Sequence, residues 1–300
     1  MTTFAEEAAR LGEALGGGPA ARLAARALLE ADVLGLPRFG LAMLEEWSPE
    51  CRPAPALSPH QPVGWSDVTG SFSPLAVAEA VLHLSQAARA HGVAAVFLRG
   101  VRGVGRLAPF VRHLSDQGLV AIAGAEGPPF VAPFGGQGPV IGTNPIALAA
   151  GQGAERVVID LASSAATMAD VKAARQTGAA LPEGVAQGPD GLPTTVAADV
   201  AALFPRGGQV GSLLGLIVEI LAGVAGGGRG DAQGRGVFFL AFDPARAGEA
   251  VDWPGKLSAL RDDWIAAGGH WPRGGGLAEE EALAPEVLSR LESHITRLSD

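Results

Sequence analysis

Gly135-Gly136-Gln137-Gly138-Pro139-Val140-Ile141-Gly142-Thr143-Asn144-Pro145 is the stretch whose reading decides the fold. Its glycines and prolines make a loop, and the loop runs straight into Ile146-Ala147-Leu148-Ala149-Ala150, an apolar run that reads as a buried strand. A loop of this kind exposes backbone N–H groups that a phosphate or an amide can reach. On its N-terminal side, elements alternate. Ser73-Pro74 opens a helix that ends near His91-Gly92, Val93 to Leu98 reads as a buried strand, Leu107 to Gln117 as a helix and Leu119 to Ala123 as a strand. On its C-terminal side come a strand at Arg156 to Leu161 and a helix over 169–177. Strands alternating with helices point to an α/β fold.

The flanks are different. Thr3 with Glu6 three positions on makes a capping box for a helix that stops at Gly16-Gly17-Gly18, and Pro19 opens a second helix running to about Leu34. Residues 48–64 are rich in proline and read as an ordered irregular arm. Ser212 to Ala225 is an apolar helix interrupted by Glu219, too short at roughly 18 apolar residues' requirement to suggest a membrane span. Gly226 to Gly236 is a loop, Val237 to Phe242 a last buried strand, and Pro254 and the segment Ala278 to Leu298 carry C-terminal helices.

Composition narrows the chemistry. The chain has 300 residues, 48% of them apolar, and a net charge of −9. It has no Lys/Arg-rich run, which argues against nucleic acid as a partner. Tyrosine is absent and only Lys172 and Lys256 are lysines, so a Lys or Tyr proton donor has almost no candidates. A single cysteine, Cys51, excludes an internal disulfide and suits a cytoplasmic setting. The N-terminus lacks the basic start and apolar core of a signal peptide.

Local motifs offer several rival readings. Gly103-Val104-Gly105-Arg106-Leu107-Ala108 fits the G-x-G-x-x-A dinucleotide fingerprint, with Glu126 where a ribose-binding acid would stand. Against it, the spacer after the strand is long and this is not the first such unit. No pair of the six histidines has ligand spacing, so no metal is expected. Ser163-Ser164 follow a strand, but no G-x-S-x-G surrounds them. Arg102 and Arg106 at a helix entrance make either a phosphate or carboxylate grip or a solvated surface pair.

Taken in order, six segments resemble the type-2 malate/L-lactate dehydrogenases. Glu30-Ala31-Asp32-Val33-Leu34-Gly35 is similar to the family's "ADLRG", and Gly118-Leu119-Val120-Ala121-Ile122 to "GLIGI". Val131-Ala132-Pro133-Phe134-Gly135-Gly136 and Gly142-Thr143-Asn144-Pro145 resemble the two halves of its glycine loop. Val158-Ile159-Asp160-Leu161-Ala162-Ser163-Ser164 looks like "VLDMATS". Leu181-Pro182-Glu183-Gly184 and Asp190 to Thr195 resemble "LPEGWAxDxxGxPTTD", and Gly207-Gly208 with Leu216 to Leu221 resemble "GGxKGxGLALMVEIL".

The resemblance implies an α/β, type-2 malate/L-lactate dehydrogenase-like fold that is not Rossmann. A nucleotide-binding domain (73–221) would be inserted in a second α/β domain with helical N- and C-terminal parts (1–72 and 222–300), the latter serving dimerisation and substrate. It implies NAD or NADP as cofactor, a homodimer with active sites near the subunit interface, and a small-molecule substrate. Thr143, Asn144, Asp160, Leu161 and Ala162 fall at its cofactor position. Thr143 and Asn144 are also good turn residues, and Asp160 also suits a cap.

Departures from the family fall on the charged groups. Its "SHG", which carries the acid/base histidine, reads Arg38-Phe39-Gly40, and the arginine four residues later is Met43. The histidine of "SxHFG" aligns near Gly103. The lysine of "KG" is Val210, the "GK" pair is Ala169-Asp170, the tryptophan of "EGWA" is Val185 and the following acid is Gly188. A phenyl ring cannot move a proton, so Arg38 is the remaining charged candidate on the substrate side. The expected function is a divergent NAD(P)-dependent oxidoreductase of a 2-keto or 2-imino acid or a more complex imine. The alternatives are a non-redox enzyme (lyase, isomerase or cyclase) or a non-catalytic protein on the same scaffold.

Overall fold

The computed structural model describes residues 2–48, 50–58, 60–231, 234–247, 252–273 and 276–299. Two N-terminal helices, α1 (Phe4–Ala14) and α2 (Gly18–Val33), form as expected. Thr3 Oγ1 accepts from the Glu6 N–H and the Glu6 carboxylate accepts from the Thr3 N–H, closing the capping box. They pack with a C-terminal helix (Pro285–Ser299) around Phe4, Leu11, Leu28, Leu41, Leu44 and Leu291.

Between these ends the chain builds β1 (Val63–Asp67), α3 (Ser73–His91), β2 (Val93–Val101), α4 (Ala108–Asp116), β3 (Val120–Ala125), β4 (Pro145–Ala150) and β5 (Val157–Ala162). Then follow α5 (Met168–Thr177), the short strands β6 (Ala186–Gln187) and β7 (Ala202–Leu203), α6 (Gln209–Val218), β8 (Arg235–Phe242), α7 (Trp253–Ala266) and α8 (Pro285–Ser299). The apolar helix expected from Ser212 begins earlier, at Gln209, and beyond Val218 it widens into a π-helical turn over Glu219–Ala225. The described residues of the expected arm over 48–64 are irregular only to Pro62. Val63 opens β1 as an outer strand whose Val63 and Trp65 stay exposed.

Six strands form one mixed sheet in the order β1-β2-β8-β3-β4-β5. Only β1 and β2 are parallel neighbours; every other adjacent pair is antiparallel. The sheet takes β1 and β8 from the flanking segments 1–72 and 222–300 and the other four strands from 73–221. Alternation along the strands separates its faces. Val96, Leu98, Ala121, Ala123 and Phe239 pack with α3 and α4, where Phe110 meets Phe239 edge-on at 6.2 Å. Phe97, Ile122, Ile146 and Phe238 lie under Val218, Leu221 and Ala222 of the α6 and π-turn segment. A separate small core around Val131, Ile141, Val171, Leu181 and Leu203 joins α5 to the β6–β7 pair.

The strand directions settle where a site can form. The C-terminal ends of β1, β2, β3 and β5 and the N-terminal ends of β8 and β4 all lie at one end of the sheet. Strand ends there give way to loops, and ligands of open α/β sheets bind outside the carboxyl ends of strands.

Candidate active site

Three groups meet at this end of the sheet: a corner between two loops, a buried polar brace and a glycine-lined cavity.

The corner is set by α2. Its last turns carry Glu30 and Asp32, both buried on an otherwise Ala/Leu-rich helix. A buried carboxylate must be paired. Asp32 Oδ2 accepts the Leu41 N–H at 2.7 Å, and its Oδ1 accepts from Arg290 Nε at 2.7 Å on α8. This fixes the short turn Pro37–Phe39 and the one after it. Gly40 is required there, because an added Cβ would stand 2.7 Å from the Leu28 carbonyl oxygen. Glu30 holds Arg106 at 2.8 Å and also Arg112, pinning the loop that follows β2. Arg102 and Arg106 thus part company. Arg106 is spent on Glu30, while the exposed Arg102 offers its backbone N–H to Ser73 Oγ.

The two loops touch. A Cβ built on Gly105 would lie 2.8 Å from the Phe39 carbonyl oxygen and 3.4 Å from Met43 Sδ, and one on Gly103 would lie 3.2 Å from Met43 Cε. Positions 39, 43 and 103–105, separated in sequence, therefore form one corner. It brings together the Phe39 backbone, the Met43 thioether and two glycines, with the exposed Arg38 next in sequence. No imidazole is hydrogen-bonded to a described residue of this corner.

Across the corner lies β5. Asp160 Oδ2 accepts the Ala108 N–H at 3.0 Å and so caps α4 from a neighbouring strand, an anion at a helix N-terminus. The residue keeps solvent contact along the outer strand, but protein crowds its carboxyl. Burial raises its pKa, and the Ala108 and Leu107 N–H groups and Arg106 pull it back. Leu161 and Ala162 continue to the strand end, half-buried. The Thr143 carbonyl accepts both the backbone N–H and the hydroxyl of Ser163, at 3.0 and 2.9 Å. The Ser164 hydroxyl likewise donates to a backbone carbonyl, that of Ala166. Neither serine is set up as a nucleophile.

Asn144 anchors the brace. It is fully buried and is the one non-glycine residue with positive φ (36°) among the described residues. Its Oδ1 accepts the Gly127 N–H at 3.0 Å, and its Nδ2 donates to the Gly215 carbonyl and to Glu219 Oε2, each at 2.9 Å. Glu219, at the start of the π turn, also pairs with Arg229. Glu126 lies close by, its Oε1 accepting the Gly236 N–H at 2.8 Å. Burial raises the Glu126 carboxyl; the Gly236 bond lowers it, the neighbouring Glu219 raises it, and Arg235 and Arg229 lower it. An acid held this way is not the free ribose-binding group that the G-x-G-x-x-A reading needs. Gly142 and Gly127 pass so closely that a Cβ on Gly142 would be 2.4 Å from Gly127 Cα.

The cavity, about 430 Å³, is lined by Pro133–Gln137, Gly184, Gly191, Phe204, Pro205 and Gly208. It gathers three of the segments that carry the family resemblance. The Phe134 ring is 60% exposed at its edge, with its backbone N–H donating to Ser212 Oγ. The strand end of β5 adjoins this cavity, because Ser164 bridges Pro205 and the Ala165 N–H donates to the Phe204 carbonyl. The positions of the missing family cations hold none here. Val210 is 75% exposed, and Asp170 closes a capping box with Thr167 at the start of α5. Among the described residues no group of three His, Cys, Asp or Glu assembles. No described helix is long and apolar enough to cross a membrane.

Sequence reading singled out neither the anchoring roles of Glu30 and Asp32, nor the pairing of Glu219 with Arg229 beside Glu126, nor Arg206. The available signal was an acid on a helix face of alanine and leucine, which has to find a partner once buried.

Known proteins place this arrangement. The malate/L-lactate dehydrogenase family profile matches residues 14–269. The chain is 37% identical over 210 residues to a Delta(1)-pyrroline-2-carboxylate/Delta(1)-piperideine-2-carboxylate reductase of Pseudomonas syringae pv. tomato, covering 68% of this chain and 59% of that protein. It is 34% identical over 249 residues to a (2R)-3-sulfolactate dehydrogenase (NADP(+)) of Chromohalobacter salexigens, covering 75% and 74%. The crystal structure of delta1-piperideine-2-carboxylate reductase from Pseudomonas syringae superposes with a TM-score of 0.80 at 27% identity, covering 98% of this chain and all of that one. In the alignment with the reductase sequence, the match spans less than two thirds of that relative's length. With the family profile spanning most of its length and the site built on the same segments, this chain belongs to the malate/L-lactate dehydrogenase family.

Proposed function

We propose that this protein is an NAD(P)-linked reductase of a cyclic 2-imino acid or a more complex imine. The observation that carries this reading is the corner itself: the Phe39 backbone and the Met43 thioether close on Gly103 and Gly105, and neither residue 39 nor residue 43 carries a titrating group. A reduced nicotinamide supplies hydride when bound. Delivery to an iminium already charged needs no acid, whereas reduction of a ketone needs a proton donor, worth typically about 10²–10⁴-fold. Asp32 and Glu30 hold the two loops of the corner in place. Arg38 stands at the rim, where its fork suits a substrate carboxylate.

The residues present fit a dinucleotide. The cavity beside β5 has room for part of one, an exposed aromatic at its edge and walls of glycine that let a ligand approach backbone. Thr143, Asp160, Leu161 and Ala162 would border it, with Asn144 shaping the loop from behind. In this reading 73–221 carries the cofactor part, and 1–72 with 222–300 carry the substrate and dimer contacts. A cytoplasmic homodimer suits the exposed apolar row Val210, Leu213, Ile217, Ile220 and Val224 along α6 and the π turn.

The test is nicotinamide absorbance with purified protein, NADH or NADPH, and either a cyclic 2-imino acid or a 2-keto acid. Faster turnover of the imine is expected. Equilibrium dialysis accompanies it: absence of dinucleotide binding at millimolar concentration would turn the assignment to a non-redox enzyme on this scaffold, a reading favoured by the absence of cations at 170 and 210.

A further inference from the structure

The turn into α6 reads Phe204-Pro205-Arg206-Gly207-Gly208, and its arginine is held from two sides. The Arg206 backbone N–H donates to the Ser163 carbonyl at 2.8 Å, and its Nε–H donates to the Ala162 carbonyl at 3.1 Å. Both anchors are at the C-terminal end of β5. They fix the stem and leave the terminal nitrogens Nη1 and Nη2 unspent. Among the described residues Arg206 enters no ion pair, whereas Arg106, Arg112 and Arg229 at the same end of the sheet are each committed to a buried glutamate.

The lining of the adjoining cavity holds no carboxylate. Pro205 and Gly208, on either side of Arg206, line the cavity of about 430 Å³, and its remaining lining is glycine, proline, phenylalanine and Gln137. Arg206 is exposed to solvent. The family's cation four residues later is gone: position 210 is an exposed valine. Guanidinium forks onto phosphate oxygens, and a stem already tethered at Nε loses little freedom on doing so.

We propose that Arg206 is the phosphate clamp of this chain, holding a phosphate group of the dinucleotide at the mouth of the glycine-lined cavity in place of the cation missing at 210. This rests on the reading that a nicotinamide dinucleotide binds here. Two phosphates have the required chemistry: the diphosphate common to both dinucleotides and the 2′-phosphate of NADPH.

The experiment is calorimetric titration of the full chain, wild type, Arg206→Ala, Arg206→Gln and Arg206→Lys, with NADH and with NADPH, alongside thermal unfolding of each. Arg206→Ala and Arg206→Gln are expected to bind about 10- to 100-fold more weakly, the scale of one charge-assisted contact, and Arg206→Lys to regain part of the loss. Glutamine retains a donor for the Ala162 carbonyl, so its loss of affinity at unchanged unfolding temperature reports charge and not folding. Weakening of both dinucleotides assigns the diphosphate; weakening of NADPH alone assigns the 2′-phosphate. Equal affinity of wild type and Arg206→Gln for both dinucleotides overturns the clamp and leaves the dinucleotide reading standing. A wild type that binds neither overturns both.

Discussion

The brace around Asn144 and the corner around Phe39 lie at the same end of one sheet and follow opposite rules. In the brace, every polar group of the asparagine is used: one acceptor and two donors reach Gly127, Gly215 and Glu219, and Glu219 is then shared with Arg229. In the corner, the Met43 thioether and the Phe39 carbonyl close on two glycines, and neither side chain can titrate. The carboxylates Asp32 and Glu30 still position the corner's backbone from behind. The difference teaches that shape and chemistry have been kept separately. A buried hydrogen-bond network cannot lose one member without leaving others unpaired, so it persists as a unit. A solvent-facing proton donor has no such ties, and its replacement leaves the fold intact.

The strongest way to break the comparison is to cut the brace. Asn144→Leu strands the Gly127 N–H, the Gly215 carbonyl and one oxygen of the buried Glu219, and places a branched side chain at positive φ. We expect a loss of about 3–5 kcal/mol of unfolding free energy by denaturant titration. A loss below about 1 kcal/mol would mean that the network is not what holds this end of the sheet.

The corner is tested in the opposite sense, by restoring what it lacks. Phe39→His with Met43→Arg places an imidazole and a guanidinium on a backbone that Asp32 and Gly40 already fix. Reduction of a 2-keto acid is expected to rise at least about tenfold. The gain should fade as pH climbs past about 6.5, where the imidazole loses the proton it has to donate. A double variant with unchanged keto-acid turnover would show that the corner is not where hydride and proton meet.

This contrast was half legible in the sequence. The helix and strand boundaries around 73–162 follow from glycine and proline punctuation and from short apolar runs, and the structure places them within a few residues. That positions 39 and 43 carry Phe and Met, where the resemblance implies His and Arg, was equally visible, because residue type alone decides whether a group titrates. The short strand β1 was not, since Val63-Gly64-Trp65-Ser66-Asp67 follows a proline-rich arm and keeps half its side chains in solvent. The brace was not either. Asn144 and Glu219 are 75 residues apart, and only packing of α6 against the glycine loop brings them together. Sequence patterns report local conformation well and long-range polar partnerships poorly, because any buried acid has several arginines it might find.

Asp160 stands between the two regions, and a smaller effect decides to which it belongs. Asp160→Ala removes the cap on the Ala108 N–H and should cost about 1 kcal/mol in unfolding free energy. As a cap alone, it would leave dinucleotide affinity unchanged within error in a calorimetric titration. A drop in affinity exceeding tenfold would place it with Thr143 and Ala162 among the residues proposed to border the dinucleotide.

The smallest expected effect concerns Glu126, where the brace carries a strain of its own. Burial and the neighbouring Glu219 both raise this carboxyl above its ordinary value, against the opposing Gly236 N–H and the two arginines. An acid whose folded pKa lies above its unfolded one holds its proton longer when folded. Between the two values the native state therefore binds more protons, and stability falls as pH rises through that window. Glu126→Gln keeps an oxygen for the Gly236 N–H and removes the charge, so its advantage over wild type should appear only above the window. At neutral pH the variant is expected to match or exceed wild-type stability by less than about 1 kcal/mol, and by acid pH the difference should vanish. Denaturant titrations of the two proteins from pH 4 to pH 8 measure it. A variant destabilised at neutral pH would mean that the Arg229 and Arg235 charges outweigh burial, and that the Glu126 carboxylate is needed ionised to hold the π turn against β8.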